Sequence, residues 1–146
     1  MIRKLTLFSV CVFEIALIFF AGIQSVSSNT FEPFENGVGI LCKIIEPKDN
    51  KEPLFFLFAE DRQSVSRLRF EKNHIRLSET LKTEISANSI SWLDREGFSN
   101  TRYQLNRSTL ELSTNPGKRA CEAMPAKSLK EKADNYLLSS MSGNKI

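Results

Sequence analysis

Histidine is almost missing from this sequence: His74 is the only one in 146 residues. A hydrolase that activates its nucleophile with an imidazole must draw on that single side chain, and a zinc centre built on histidines has too few. His74 follows Asn73 in a predicted turn, which makes it an exposed imidazole and not a catalytic base. Glycine (6 residues) and proline (5) are also scarce. They leave no glycine-rich phosphate loop, dinucleotide fingerprint or nucleophile elbow. Charge of one sign is lacking too. A formal +3 is too mild to imply a polyanionic partner.

Long apolar runs are confined to the amino terminus. Met1-Ile2-Arg3-Lys4 opens with two cations, and residues 5–23 are apolar apart from Ser9, Glu14 and a few small residues. This is the order of a secretory signal, with small residues at Ser25/Ser27 or Val26/Ser28 for cleavage after Ser27 or Ser28. An uncleaved membrane anchor is the alternative, since about 20 apolar residues span a bilayer. Glu14 weighs against it, because a carboxylate near a helix centre costs on the order of 2–3 kcal/mol on insertion scales. The expected location is therefore periplasmic or secreted, with no stable membrane span after cleavage.

Removal of residues 1–28 leaves 18 basic and 16 acidic residues, and two of the three cysteines, Cys42 and Cys121. An even pair in an exported chain is most simply a disulfide. Two buried thiols are the alternative; a metal site lacks further ligands at zinc spacing. The expected bond joins the first strand to a segment just after the last.

Residues 29–36 read as an extended leader, 37–122 as a β domain and 123–146 as a helix with a tail. Within the domain, short β-type runs alternate with turn residues, the spacing of an all-β antiparallel barrel or sandwich of seven or eight strands. Leu54-Phe55-Phe56-Leu57-Phe58-Ala59 is apolar throughout and must be covered on both faces. In Val65 to Glu71, Leu68 and Phe70 alternate with Arg67 and Arg69, which places the arginines on the opposite face. Lys72-Asn73 is the turn of a hairpin. The predicted core is Ile40, Ile44, Phe56, Phe58, Leu68, Phe70, Ile75, Leu77, Ile85, Ile90, Trp92, Tyr103, Leu105, Leu110 and Leu112. After Asn115-Pro116-Gly117 breaks the sheet, Ser128-Leu129-Lys130-Glu131 fits a helix-opening capping box, with a stripe of Leu129, Ala133, Tyr136 and Leu137.

The chemistry-bearing residues form no constellation, so the expectation is a protein that is not an enzyme and uses no cofactor or metal. Carboxylates are numerous, and a pair of them would serve a saccharide-cleaving enzyme. This is the alternative. Arg67, Arg69, Arg76, Arg102 and Arg107 accompany Trp92 and Tyr103, the ingredients of a single-strand-binding barrel, but the aromatics fit the inward face, so no nucleic-acid partner is expected. Asn106-Arg107-Ser108 matches the glycosylation triplet, and a hairpin turn explains the same residues.

Ile90-Ser91-Trp92, then residues 103–112 and Cys121, resemble the ending of small exported bacterial proteins of no assigned activity. The overall plan, with a signal, about eight strands and a cysteine near each end, is also similar to periplasmic lysozyme inhibitors built on a small β-barrel. That resemblance implies an inhibitory role by analogy of architecture. The sequence thus supports an exported binding or interaction domain for a protein or envelope component.

Overall fold

The computed structural model describes residues 34–46, 52–95, 100–115 and 117–143. The signal, and residues 29–33 of the leader, lie outside the described residues. The described residues form nine strands: β1 (Val38–Glu46), β2 (Leu54–Phe58), β3 (Ser64–Glu71), β4 (His74–Leu77), β5 (Leu81–Ile85), β6 (Ser89–Asp94), β7 (Thr101–Asn106), β8 (Glu111–Thr114) and β9 (Gly117–Pro125). One helix, α1 (Ala126–Gly143), follows.

All pairings are antiparallel, in the order β2-β1-β9-β8-β7-β6-β5-β3, and β2 also pairs with β3. That last ladder closes an eight-stranded barrel. β4 is the extra strand. It pairs with β3 through Leu68 opposite Leu77 and Phe70 opposite Ile75, and carries the β3–β4 hairpin beyond the barrel wall. Lys72, at φ 33°, takes the left-handed backbone that the tight turn requires.

Period-two alternation divides the apolar residues between two cores. Ile40, Cys42, Leu54, Phe56, Phe58, Val65, Ile90, Trp92, Tyr103, Leu105 and Leu112 fill the barrel. Leu41, Phe55, Leu57, Leu68 and Met124 face out, where Ala126, Leu129 and Ala133 of α1 cover them. Hence β2 is buried at all five positions, as its unbroken apolar run demands. The stripe Leu129, Ala133 and Tyr136 docks on the barrel, a placement the stripe alone left open, with Tyr136 5.7 Å from Phe55 and 4.9 Å from Phe70, centroid to centroid.

Several expectations change. Leu68, Phe70, Ile75 and Leu77 belong to the outer core beneath α1, so the face opposite them is the barrel interior. Ile85 is 42% exposed, because its strand runs past the rim although Thr83 on the same face is buried. Ile44 is half-buried at the other end of the barrel. Leu110 leaves the strand: Asn106 Oδ1 accepts from the amides of Ser108 and Thr109, and the turn ends with Leu110 in the left-handed region, φ 53°. The segment around Cys121 is itself a strand, β9, paired with β1 along its length. Finally, α1 starts at Ala126, so Ser128 lies inside the first turn and not at the cap.

Cys42 and Cys121 are direct partners across β1 and β9, and their sulfurs are bonded. With a sequence separation of 79, the chain-entropy estimate for the closed loop is roughly 4–5 kcal/mol.

Candidate functional site

Register decides which charged residues enter the barrel. Arg67 lies opposite Phe56, an interior residue, and therefore points inward. Arg69 follows it by two positions on the same face. Arg119 lies opposite Ile44 on one side and the fully buried Leu112 on the other, two residues from the inward Cys121. Asp94 follows Trp92 by two positions on β6. Four charged side chains thus converge on one end of the barrel.

The floor beneath them is aromatic. Phe56 meets Trp92 and Tyr103 edge-on at 5.1 and 5.2 Å, and Trp92 stacks on its cross-strand partner Tyr103 at 5.3 Å. Such contacts fix ring positions and contribute about 0.5–1.5 kcal/mol each beyond burial. The walls and floor are accordingly rigid.

Three guanidiniums and one carboxylate act on the Tyr103 phenol. Burial raises its pKa first, Asp94 adds to the rise, and Arg67, Arg69 and Arg119 oppose it. Burial and the neighbouring Arg67 depress the pKa of Arg119, which donates 3.0 Å to the Glu52 carbonyl. Arg69 is depressed by burial and Arg67, and its Nη2 lies 3.5 Å from Asp94 Oδ2. Both members of that pair are largely covered, with side-chain exposures of 21% and 12%. The end is net positive.

It is also open. The β5–β6 ladder stops at Thr83–Trp92 while β6 continues to Asp94. A cleft of about 700 Å³ lies there, within the range of small-ligand sites, lined by Trp92 and Asp94 together with Arg76, Lys82, Arg95 and Arg102. The acids of the cleft besides Asp94 are Glu79 and Glu84. Glu84 is exposed and sits 2.9 Å from Arg102.

No family model, curated protein or solved structure matches the chain. The site therefore rests on geometry. The opposite end of the barrel has a smaller opening, about 380 Å³, with a mostly apolar lining that includes Val38, Phe58, Leu105 and Leu110 beside Arg62 and Arg107.

Of the residues singled out from sequence, Cys42 and Cys121 form the expected bond. His74 is exposed, its Nε2 3.2 Å from Glu71 Oε2. Asn106 is exposed and its Oδ1 holds the β7–β8 turn. The arginines considered for nucleic acid separate: Arg67 and Arg69 enter the barrel, whereas Arg102 and Arg107 are exposed. Trp92 and Tyr103 do share the face of the inward arginines but are 3% and 4% exposed, too covered for a base to stack on. Among the described residues no cluster of three or more metal-type ligands occurs, and no helix is long and apolar enough to cross a membrane. Arg119 was missed from sequence. The signal was there in Cys121, whose inward direction fixes residue 119 on the same face.

Proposed function

We propose that the protein is an exported, non-enzymatic binding domain that takes its ligand at the arginine end of the barrel. The observation that carries this reading is the convergence of Arg67, Arg69 and Arg119 with the single carboxylate Asp94 above a rigid aromatic floor, beside an open cleft. Inward cations do little for solubility and are costly to bury. A ligand-facing role supplies a reason for them. The Cys42–Cys121 bond supports a periplasmic or secreted location behind a cleaved signal of residues 1–28, where such bonds persist.

The test is to add a small-molecule extract of the source's envelope or medium to the isotope-labelled protein and follow amide resonances. Shifts confined to the ends of β3, β6 and β9 around Arg69, Asp94 and Arg119 are expected. No shifts, or shifts gathered at the apolar end around Val38 and Leu105, would overturn the proposal.

A further inference from the structure

We infer that the arginine end of the barrel binds a compact oxyanion, with Arg67 and Arg119 as its principal ligands; this deepens the binding role proposed above and rests on it. Carboxylate, phosphate and sulfate share the chemistry concerned, oxygen acceptors carrying negative charge in a small volume.

Two buried donors at this end carry the inference. Arg67 Nε and Trp92 Nε1 are both shielded from solvent and have no hydrogen-bond acceptor among the described residues. Trp92 is only 3% exposed, so its indole N–H belongs to the interior wall, and the same ring borders the cleft. A buried donor without an acceptor costs about 1–3 kcal/mol, more for a charged group. Water would satisfy the donors but leave the charge. An oxyanion satisfies both.

The charge balance points the same way. Arg67 and Arg119 act on each other unfavourably, and each also acts on Tyr103, which places the three groups in one neighbourhood. The carboxylate in reach, Asp94, bonds to Arg69. Arg119 spends one donor on the Glu52 carbonyl, which anchors its head and leaves the rest of its fork. Planar guanidiniums bind two oxygens at once, the geometry suited to carboxylate and phosphate. A flat phosphate surface, whether membrane or duplex, does not reach charges set inside a barrel wall. A small ligand does.

Trp92 is the chain's single tryptophan, so its emission reports on this site alone. The protein is titrated with sodium phosphate, sulfate and citrate, against chloride at matched ionic strength, and melting temperature is followed in parallel. A saturable emission change with at least one oxyanion and not with chloride is expected, accompanied by a rise in melting temperature. Arg67→Met and Arg119→Met keep the aliphatic stem and drop the charge. Each should raise the half-saturating concentration by about tenfold or more, the loss of a charge-assisted hydrogen bond, while Arg107→Met, an exposed arginine at the opposite end of the barrel, leaves it unchanged. Without anion, both inward variants should melt no lower than the parent, since they relieve repulsion; arginines that merely plug the barrel would show the reverse. Should Arg67→Met fail to fold, Arg67→Lys, which keeps the charge and loses the fork, is expected to bind more weakly, and unchanged affinity would sink the inference. So would the absence of any oxyanion response in the parent. If the extract shifts the arginine-end resonances while these anions do nothing, the oxyanion assignment falls and the binding role stands.

Discussion

Gly39 lies directly beneath Leu129: a side-chain carbon at Gly39 would come within 2.4 Å of Leu129 Cβ. This bare patch on β1 is what lets α1 approach the barrel so closely that Leu129 and Ala133 are fully buried. Gly39→Ala is therefore expected to push the helix outward and cost about 1–3 kcal/mol, the range for overpacking a filled core. Leu129→Ala leaves a cavity and should cost about 2–5 kcal/mol. Combined, the two should cost less than their sum, because Leu129→Ala removes the Cγ and Cδ2 atoms that an added Cβ would also meet and lets α1 shift, although the Cβ at 129 stays. Urea unfolding of the four proteins measures the coupling; strict additivity would mean that the helix does not sit on Gly39.

Much of this architecture was legible in the sequence because strands repeat every two residues. The unbroken run Leu54 to Phe58 required cover on both faces, and the stripe Leu129, Ala133 and Tyr136 was there to supply it. The assignment of faces in β3 was not legible. Leu68 and Phe70 look like core on any local reading, and only the closure of β2 on β3 shows that their side of the strand is the one under α1. The arginines went inward for the same non-local reason. Likewise β9 was hidden by its composition, since Lys118, Arg119 and Glu122 give it no apolar alternation. Its position is fixed by Cys121 pairing with Cys42 and by the long ladder with β1.

The cross-strand bond makes a second prediction. Because it joins β1 to β9 rather than to a loose segment, reduction should leave the ladder hydrogen bonds in place and act mainly through the unfolded chain. Stability should fall by about 2–4 kcal/mol while the far-ultraviolet circular dichroism of the folded state is retained. Mass spectrometry with and without reductant supplies the control. The mass gained on reduction must correspond to one disulfide.

The turn at Asn106 gives a third. Its Oδ1 accepts from two backbone amides, Ser108 at 2.9 Å and Thr109 at 3.0 Å, and holds Leu110 in the left-handed region. Asn106→Ala removes both acceptors and is expected to cost about 1–2 kcal/mol, whereas Asn106→Asp, which keeps the oxygen, should cost less. Leu110→Gly tests the backbone itself. It should be tolerated better than Leu105→Gly, because glycine occupies positive φ without penalty whereas Leu105 is buried in a strand. Equal losses at the two sites would contradict the turn geometry.

The last prediction concerns the phenol at the arginine end. The chain has two tyrosines, Tyr103 and Tyr136, and burial raises the pKa of both. Phenolate absorbance should therefore develop above the ordinary tyrosine range, near 10. A raised pKa means that folding favours the protonated ring, so the stabilisation is complete below the unfolded value and is lost as pH rises through the folded one. Unfolding at alkaline pH should begin with this titration, and Tyr103→Phe should flatten the dependence by removing one of the two groups. The neighbouring charges then act with opposite signs. Asp94→Asn removes the carboxylate that opposes phenolate formation, so the Tyr103 pKa should fall; Arg67→Met removes a cation that favours phenolate, so it should rise. A Tyr103 titration that moved in the same direction in both variants would show that the ring is not held between these two charges.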